Sequence, residues 1–245
     1  MKLQGTVIAA HGRQYLVELA GEQADGQTLL CFPRGKKSEI ACGDHVVLQR
    51  SGDGQGVIDS IAPRTTLLYR SNEFKQKLIA ANVTQIVIVV ATEPSFSGEL
   101  ISRCIVAAES QDIKVLIVLN KADVSELLPL ARERLRLYAK LGYRVIEVSA
   151  NQPEGLNTEL IPALAGKTTL LMGQSGMGKS SLINVLIPDA NLRTREISSV
   201  LNTGKHTTTF SRLFDCDLDE QASQIIDSPG FEQFGMAQFS VSQIQ

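Results

Sequence analysis

Two hydrophobic periods divide the chain. From the N-terminus to about residue 62, apolar positions come in short runs: LQGTVIAA, RQYLVELA, QTLLCFP, DHVVLQR and GVIDSIA. Turn-forming stretches separate them: HG, GEQADG, PRGKKSEIACG and SGDGQG. Five short strands at this spacing predict a small all-β barrel. The five-stranded OB-fold, an architecture often used for nucleic acids, is the leading form, and an SH3-like or other purely structural barrel is the alternative. From residue 84 the period changes. TQIVIVVAT is continuously apolar, as a parallel strand buried on both faces should be. SGELISRCIVAAESQ has helical spacing, with Leu100, Cys104, Ala107 and Ala108 on one face. KVLIVLNKAD is a second buried strand, VSELLPLARERLRLYAKLG a helix, YRVIEVSA a third strand and GLNTELIPALAG a short helix. KTTLLMG is a strand that leads into a glycine turn and the helix KSSLINVLI, and SRLFDCDL and ASQIIDSPG close the set. Strands alternating with helices predict an α/β domain with a mainly parallel sheet.

Between the two regions, residues 63–83 are polar, basic and weakly periodic, and read as an interdomain linker. Arg64, Arg70, Lys75 and Lys77 are candidates there to touch phosphates, although such a run also serves as a plain solvated face. The expected organisation is a barrel over 1–62, a linker over 63–83 and an α/β domain over 84–245.

The chemistry sits at the carboxyl ends of the predicted parallel strands, where open α/β sheets bind ligands. The fourth of these strands ends in G-x-x-x-x-G-K-S, with Gly173, Gln174, Ser175, Gly176, Met177, Gly178, Lys179, Ser180 and Ser181 running into a helix. Glycines permit the tight turn and close backbone approach, the N–H groups point into the loop, and the helix adds its positive N-terminal end. Lys179 is placed for the β- and γ-phosphates and the Ser180 hydroxyl for Mg²⁺. The second strand ends in Asn120, Lys121, Ala122 and Asp123. A buried Asp123 carboxylate accepts two hydrogen bonds from guanine, which adenine cannot offer. Asn120 would brace this loop against the cradle, and the Lys121 stem would cover the base. Ser149 and Ala150, after the third strand, complete a base pocket. Asp227, Ser228, Pro229 and Gly230 end the last strand, Asp227 for Mg²⁺ and the Gly230 N–H for the γ-phosphate. The segment NTGKHTTT between cradle and DSPG is where a first switch belongs. Thr207, Thr208 and Thr209 are candidates to ligate Mg²⁺, with Thr208 favoured, and His206 orients water, touches a partner or is a plain solvent-exposed loop histidine. Phe231 follows Gly230 and cannot orient water by hydrogen bonding, so hydrolysis by the protein alone is expected to be slow. These parts form a guanine-nucleotide site in rotated order: base recognition, then phosphate cradle, then switches. The fold expected is therefore a circularly permuted α/β P-loop GTPase domain behind an OB-like barrel.

Composition changes this picture little. The net charge of −2 advertises no global field for nucleic acid, and the imbalance is local: +2 over residues 1–80 and −4 over the rest. No run is long enough to span a bilayer as a helix and the N-terminus has no secretory pattern, so a cytoplasmic protein is expected. Cys31, Cys42, Cys104 and Cys216 contain no C-x-x-C pair and no nearby His at ligand spacing, and read as buried, reduced thiols.

VIAAHGRQYLVE, PRTTLLYRS, LIAANVTQIVIV, LNKADV, GQSGMGKSSLIN, GKHTTT and IIDSPGFEQFG, together with the rotated order, resemble the bacterial small-ribosomal-subunit-dependent circularly permuted GTPases, the RsgA/YjeQ family. The resemblance covers essentially the whole chain. It implies GTP hydrolysis to GDP with Mg²⁺, slow alone and stimulated by the 30S subunit. It also implies binding to 16S rRNA, and late 30S maturation with release of an assembly factor by a monomeric protein. An RNA-binding module that uses GTP only as a switch ligand is the alternative. Family members continue into a C-terminal zinc domain, whereas this sequence stops fifteen residues after Gly230 and holds no such ligand set, so either a C-terminal truncation or an unusually short family member is expected, and no zinc.

Overall fold

The computed structural model describes residues 2–21, 26–35, 39–71, 76–201 and 210–229. The N-terminal strands are β1 (Leu3–His11), β2 (Gln14–Leu19), β3 (Thr28–Pro33), β4 (His45–Gly52) and β5 (Gln55–Ile61). Their order is β1-β2-β3-β5-β4, and β4 pairs back onto β1, so the sheet closes into a five-stranded barrel. Only β3 and β5 run parallel. The period-2 pattern puts Val7, Val17, Leu29, Cys31, Val46, Leu48 and Ile58 inside, all essentially inaccessible. Closure removes the exposed edges that short strands would otherwise present.

The stretch 63–83, expected as a linker, holds a hairpin of its own: β6 (Leu67–Ser71) and β7 (Gln76–Ala81), paired antiparallel. Its apolar residues Leu68, Ile79 and Ala80 are buried against the α/β core, and Ala80 bridges to Cys42 at the barrel's edge. The segment thus packs between the domains instead of merely spanning them. Arg64, expected as a phosphate contact, is engaged inside the protein. Its guanidinium forks onto the fully buried Asp44, Nε to Oδ1 at 2.6 Å and Nη2 to Oδ2 at 2.7 Å, and Nη2 also donates to the Glu39 carbonyl. A bidentate pair of this kind fixes geometry as well as charge. Lys77 is exposed, and Lys75 lies outside the described residues.

The second domain follows as β8 (Gln85–Ala91), α1 (Gly98–Glu109), β9 (Lys114–Asn120), α2 (Leu128–Lys140) and β10 (Arg144–Glu147). Next come α3 (Pro153–Gly155), a π-helical turn (Leu156–Leu160), α4 (Ile161–Leu164), β11 (Thr168–Met172), α5 (Lys179–Leu186), α6 (Ala190–Val200), β12 (Arg212–Leu218) and β13 (Gln221–Asp227). The apolar run of β8 is buried at every position, as a central strand covered on both faces requires. In α1, Leu100, Cys104, Ala107 and Ala108 face the core as their spacing predicts, and Ser97 caps the helix by accepting from the Leu100 N–H. The strand order β10-β9-β8-β11-β13-β12 is parallel except for β12, which runs antiparallel to β13. The sheet does not end at β12. A single pair of Cα partners, Ala9 and Arg212, joins β12 to barrel strand β1, so eleven strands form one continuous sheet across both domains. No helix among the described residues is long and apolar enough to cross a membrane.

Candidate functional site

The parallel strands deliver their carboxyl ends to one edge in spatial order β10, β9, β8, β11, β13. The loops that follow them are therefore neighbours: 149–150, 120–123, 92–97, 173–180 and 227–229. The rotated sequence order is undone by the fold, which sets the predicted base-recognition loops on one side of the cradle and the predicted metal carboxylate on the other.

The cradle leaves β11 through Gly173 and turns through Gly176 and Gly178 into α5. Gly178 is the helix N-cap with φ 86° and ψ 21°, in the left-handed region. A β-carbon there would run into the Asn120 side-chain nitrogen, and one on Gly173 would run into the Val89 carbonyl. The loop thus closes against β8 and β9 only because these positions carry no side chain. Inside the loop the Lys179 ammonium, almost fully buried, donates to the Gly173 carbonyl at 2.7 Å and the Gln174 carbonyl at 2.9 Å. Burial pushes its pKa down, and Asp227 opposes that shift. Ser180 is exposed in the first turn of α5. The loop after β8 supports the cradle from the side: the Ser97 N–H donates to Gln174 Oε1 at 2.7 Å, and Pro94 lies beside Gly176.

Asn120 ties three loops together. It is 1 % exposed, its Nδ2 donates to the Met177 carbonyl at 3.0 Å, and its Oδ1 accepts from the Ala150 N–H at 3.3 Å. Lys121 adopts φ 58°, and its ammonium donates to the Glu93 carbonyl at 2.8 Å while Thr92 Oγ1 donates to the Lys121 carbonyl at 3.0 Å. The Ala122 N–H donates to the Val148 carbonyl, pinning the loop to the strand beside it. Asp123 is exposed in the turn after β9, where the sequence reading has a buried carboxylate. Hydrogen bonds from the Ser149 hydroxyl and the Asn151 amide hold its carboxyl below the usual range. Asn151 also anchors the Ser149 loop, its backbone N–H donating to Ser149 Oγ at 3.1 Å.

Asp227 ends β13 on the far side of the cradle. It is 7 % exposed, and burial raises its pKa to about 6 against the opposing charges of Lys179 and Arg212. Ser228 Oγ donates to the Leu171 carbonyl at 2.6 Å, which fixes the turn after β13 to the cradle's own strand. Among the described residues no three His, Cys, Asp or Glu side chains gather into a metal cluster. One buried carboxylate and one helix-start hydroxyl nevertheless fit Mg²⁺, which takes one or two protein oxygens and draws its remaining ligands from phosphate and water. Thr207, Thr208, Thr209, His206, Gly230 and Phe231 lie outside the described residues. The hydrogen bond of Ser228 and the burial of Arg212, opposite Asp227 in register, are not part of the motif reading. A lone Arg at the head of the alternating strand SRLFDCDL is the sequence signal for the second.

Comparison with known proteins agrees with this arrangement. Residues 61–237 match the family model described as RsgA GTPase. The chain is 54 % identical over 237 residues to the small ribosomal subunit biogenesis GTPase RsgA of Burkholderia pseudomallei (strain 1710b), covering 96 % of this chain and 73 % of that protein. It is 55 % identical over the same length to its namesake in Paraburkholderia phymatum, with the same coverage. Among solved structures, YjeQ from Thermotoga maritima aligns with a TM-score of 0.64 at 30 % identity, covering 94 % of this chain and 76 % of that one. YloQ, described as a circularly permuted GTPase, aligns at 0.62 and 26 %, covering 100 % and 77 %. A five-stranded closed barrel, a rotated set of nucleotide loops and these relatives lead to one assignment: the chain belongs to the RsgA GTPase family.

Proposed function

We propose that the protein binds GTP along the carboxyl edge of its parallel sheet, hydrolyses it to GDP and phosphate, and acts in the biogenesis of the small ribosomal subunit. The observation that carries this reading is the Asn120 side chain, which links the predicted guanine loop to the cradle at Met177 and to Ala150. A chance P-loop would have no reason to be tied to such a loop.

In this reading Asp123, preset as an ionised acceptor by Ser149 and Asn151, takes the guanine N1–H and 2-amino group. The Lys121 stem and Ala150 flank the base. The loop N–H groups from Gly173 to Ser181 and the start of α5 hold the phosphates. The Lys179 ammonium exchanges its two loop carbonyls for phosphate oxygens, a better acceptor for a buried cation. Ser180 and Asp227 would hold Mg²⁺, and Thr208 or a neighbouring threonine would join them. When bound, Mg²⁺ neutralises charge on the β- and γ-phosphate oxygens. The Gly230 N–H would meet the γ-phosphate, and His206 would orient water, touch a partner or serve as a plain loop histidine. Phe231 leaves the water without a hydrogen-bonding side chain, so turnover is slow until the 30S particle supplies order or a missing group.

The names of the relatives support a role in small-subunit biogenesis; we further propose that the barrel contacts 16S rRNA and that the protein, a monomer in the cytoplasm, releases an assembly factor late in maturation. Nucleotide competition tests the base assignment: GTP and GDP should displace a fluorescent GDP analogue, and ATP should not. Equal displacement by ATP would overturn it.

A further inference from the structure

No motif singles out the loop after β8, residues 92–97, yet hydrogen bonds tie it to three other parts of the domain. At its start the Lys121 ammonium of the predicted base loop donates to the Glu93 carbonyl, and Thr92 Oγ1 donates to the Lys121 carbonyl. At its end Ser97 caps α1, and the Ser97 N–H donates to Gln174 Oε1 in the cradle at 2.7 Å. In between, Arg134 of α2 grips it. Arg134 Nη1 donates to Ser95 Oγ at 2.5 Å, Nη2 donates to the Phe96 carbonyl, and the guanidinium carbon lies 4.2 Å from the centre of the Phe96 ring. Phe96 is buried, so its ring gives the guanidinium a fixed seat.

Gln174 is where this loop meets the cradle. Its side chain accepts from Ser97, and its backbone carbonyl accepts from the Lys179 ammonium at 2.9 Å. The cradle carries glycine at 173, 176 and 178, and glycine leaves a backbone free to take many conformations. Asn120 pins the loop near its far end, at Met177, and the Gln174 side chain pins it near its start. A loop fixed at both ends presents its N–H groups in one arrangement before any ligand arrives, so less order has to be imposed on binding.

We propose that the Gln174 side chain and Arg134 are positioning residues for the phosphate cradle: Arg134 holds the loop after β8, and that loop latches Gln174 through the Ser97 N–H. The inference rests on the cradle binding phosphates as set out above. Two effects compete when the latch is lost. The cradle loses order, which weakens phosphate binding. The Gln174 carbonyl that Lys179 must leave also loosens, which eases the exchange of Lys179 onto phosphate. That carbonyl is neutral, and hydrogen bonds to a charged acceptor are about twice as strong. The exchange is therefore favourable with the latch in place, and the loss of order sets the sign.

The test uses the full 245-residue chain and displacement of a fluorescent GDP analogue by GDP and by GMP in Mg²⁺. GMP carries the base without the β-phosphate, so the ratio of the two affinities reports on the cradle and not on general damage to the fold. Gln174→Met keeps the length of the side chain and removes the acceptor. It should weaken GDP by about three- to tenfold, the size of one lost hydrogen bond, and change GMP by less than about twofold. Arg134→Met should lower the GDP preference by about two- to fivefold. The two changes together should lose no more than Gln174→Met alone, within about twofold, because both act through one latch. Unchanged or tighter GDP binding in Gln174→Met, equal losses of GDP and GMP, or multiplied losses in the double variant would overturn the proposal. Should Gln174→Met fail to fold, Arg134→Met on the exposed face of α2 carries the test, and an unchanged preference there would overturn the proposal as well. The wild-type protein separates the two layers. If it does not prefer GDP to GMP, the cradle reading itself fails; if it does and Gln174→Met keeps that preference, only the latch fails.

Discussion

Gly178 and Asn120 form a coupled pair whose energetics follow from their contact. In Asn120→Ala the Met177 carbonyl loses a buried partner, worth about 1–3 kcal/mol, and the Ala150 N–H loses a longer, partly buried one worth about 0.5–1 kcal/mol. Together these destabilise the apo protein by about 2–4 kcal/mol. Gly178→Ala forces an L-residue into the left-handed region, at about 1–2 kcal/mol, and drives its β-carbon into the Asn120 amide, which must swing away and give up the same two bonds. The single change at Gly178 should therefore cost about 3–5 kcal/mol. In the double variant the amide is already gone, the clash with it, and only backbone strain is added to the lost bonds. Asn120→Ala should then cost almost nothing in the Gly178→Ala background, a coupling of about 2–4 kcal/mol. Urea unfolding followed by circular dichroism is the assay, since the chain has no tryptophan. Additivity within about 0.5 kcal/mol would refute the brace between the base loop and the cradle.

Other expectations follow from the same geometry. Asp123→Asn should lower affinity for GTP and raise it for xanthosine triphosphate, measured by calorimetry; unchanged preference would remove Asp123 from the base site. Asp227 is protonated more readily folded, near 6, than unfolded, near 3.8, so its contribution to stability is fully present below the unfolded value and is lost as pH rises through 6. Asp227→Asn should therefore stabilise the metal-free protein at pH 7.5 by up to about 3 kcal/mol while abolishing turnover, with the difference vanishing near pH 3.8 in urea unfolding. Lys179→Ala should abolish hydrolysis, and GTP turnover at the wild-type rate would show that the cradle is not catalytic. Burial pushes the thiol pKa of Cys31 and Cys104 to about 12 and that of Cys42 higher still, while half-buried Cys216 reaches about 11. A thiol reagent at pH 8 should thus modify Cys216 first and the other three only on unfolding.

The motif loops and their strands were legible because each depends on local pattern: a continuous apolar run for β8, β9 and β11, and glycines where the chain must turn against another backbone. The bracing role of Asn120 was readable from its motif, and its hydrogen bonds agree with that reading. The hairpin 67–81 was hidden because its two strands are short, flank a polar stretch and, among the described residues, bury only Leu68, Ile79, Ala80 and Ala81. Helix α6 was hidden because ANLRTREISSV carries few apolar residues, among which Ile197 is buried against the barrel cluster. Exposure of Asp123 and engagement of Arg64 with Asp44 are tertiary facts, set by where a turn projects and what a buried carboxylate needs. The join of barrel to α/β sheet rests on the single pair Ala9 and Arg212, too small a feature for any periodicity to carry.

The central claim is that this is a GTPase whose slow chemistry is completed on the small ribosomal subunit. Multiple-turnover GTP hydrolysis with 30S particles, 50S particles and neither tests it most directly. The account predicts slow turnover by the protein alone, little change with 50S and a clear rise with 30S. Equal rates in all three conditions, or faster turnover with 50S than with 30S, would contradict it.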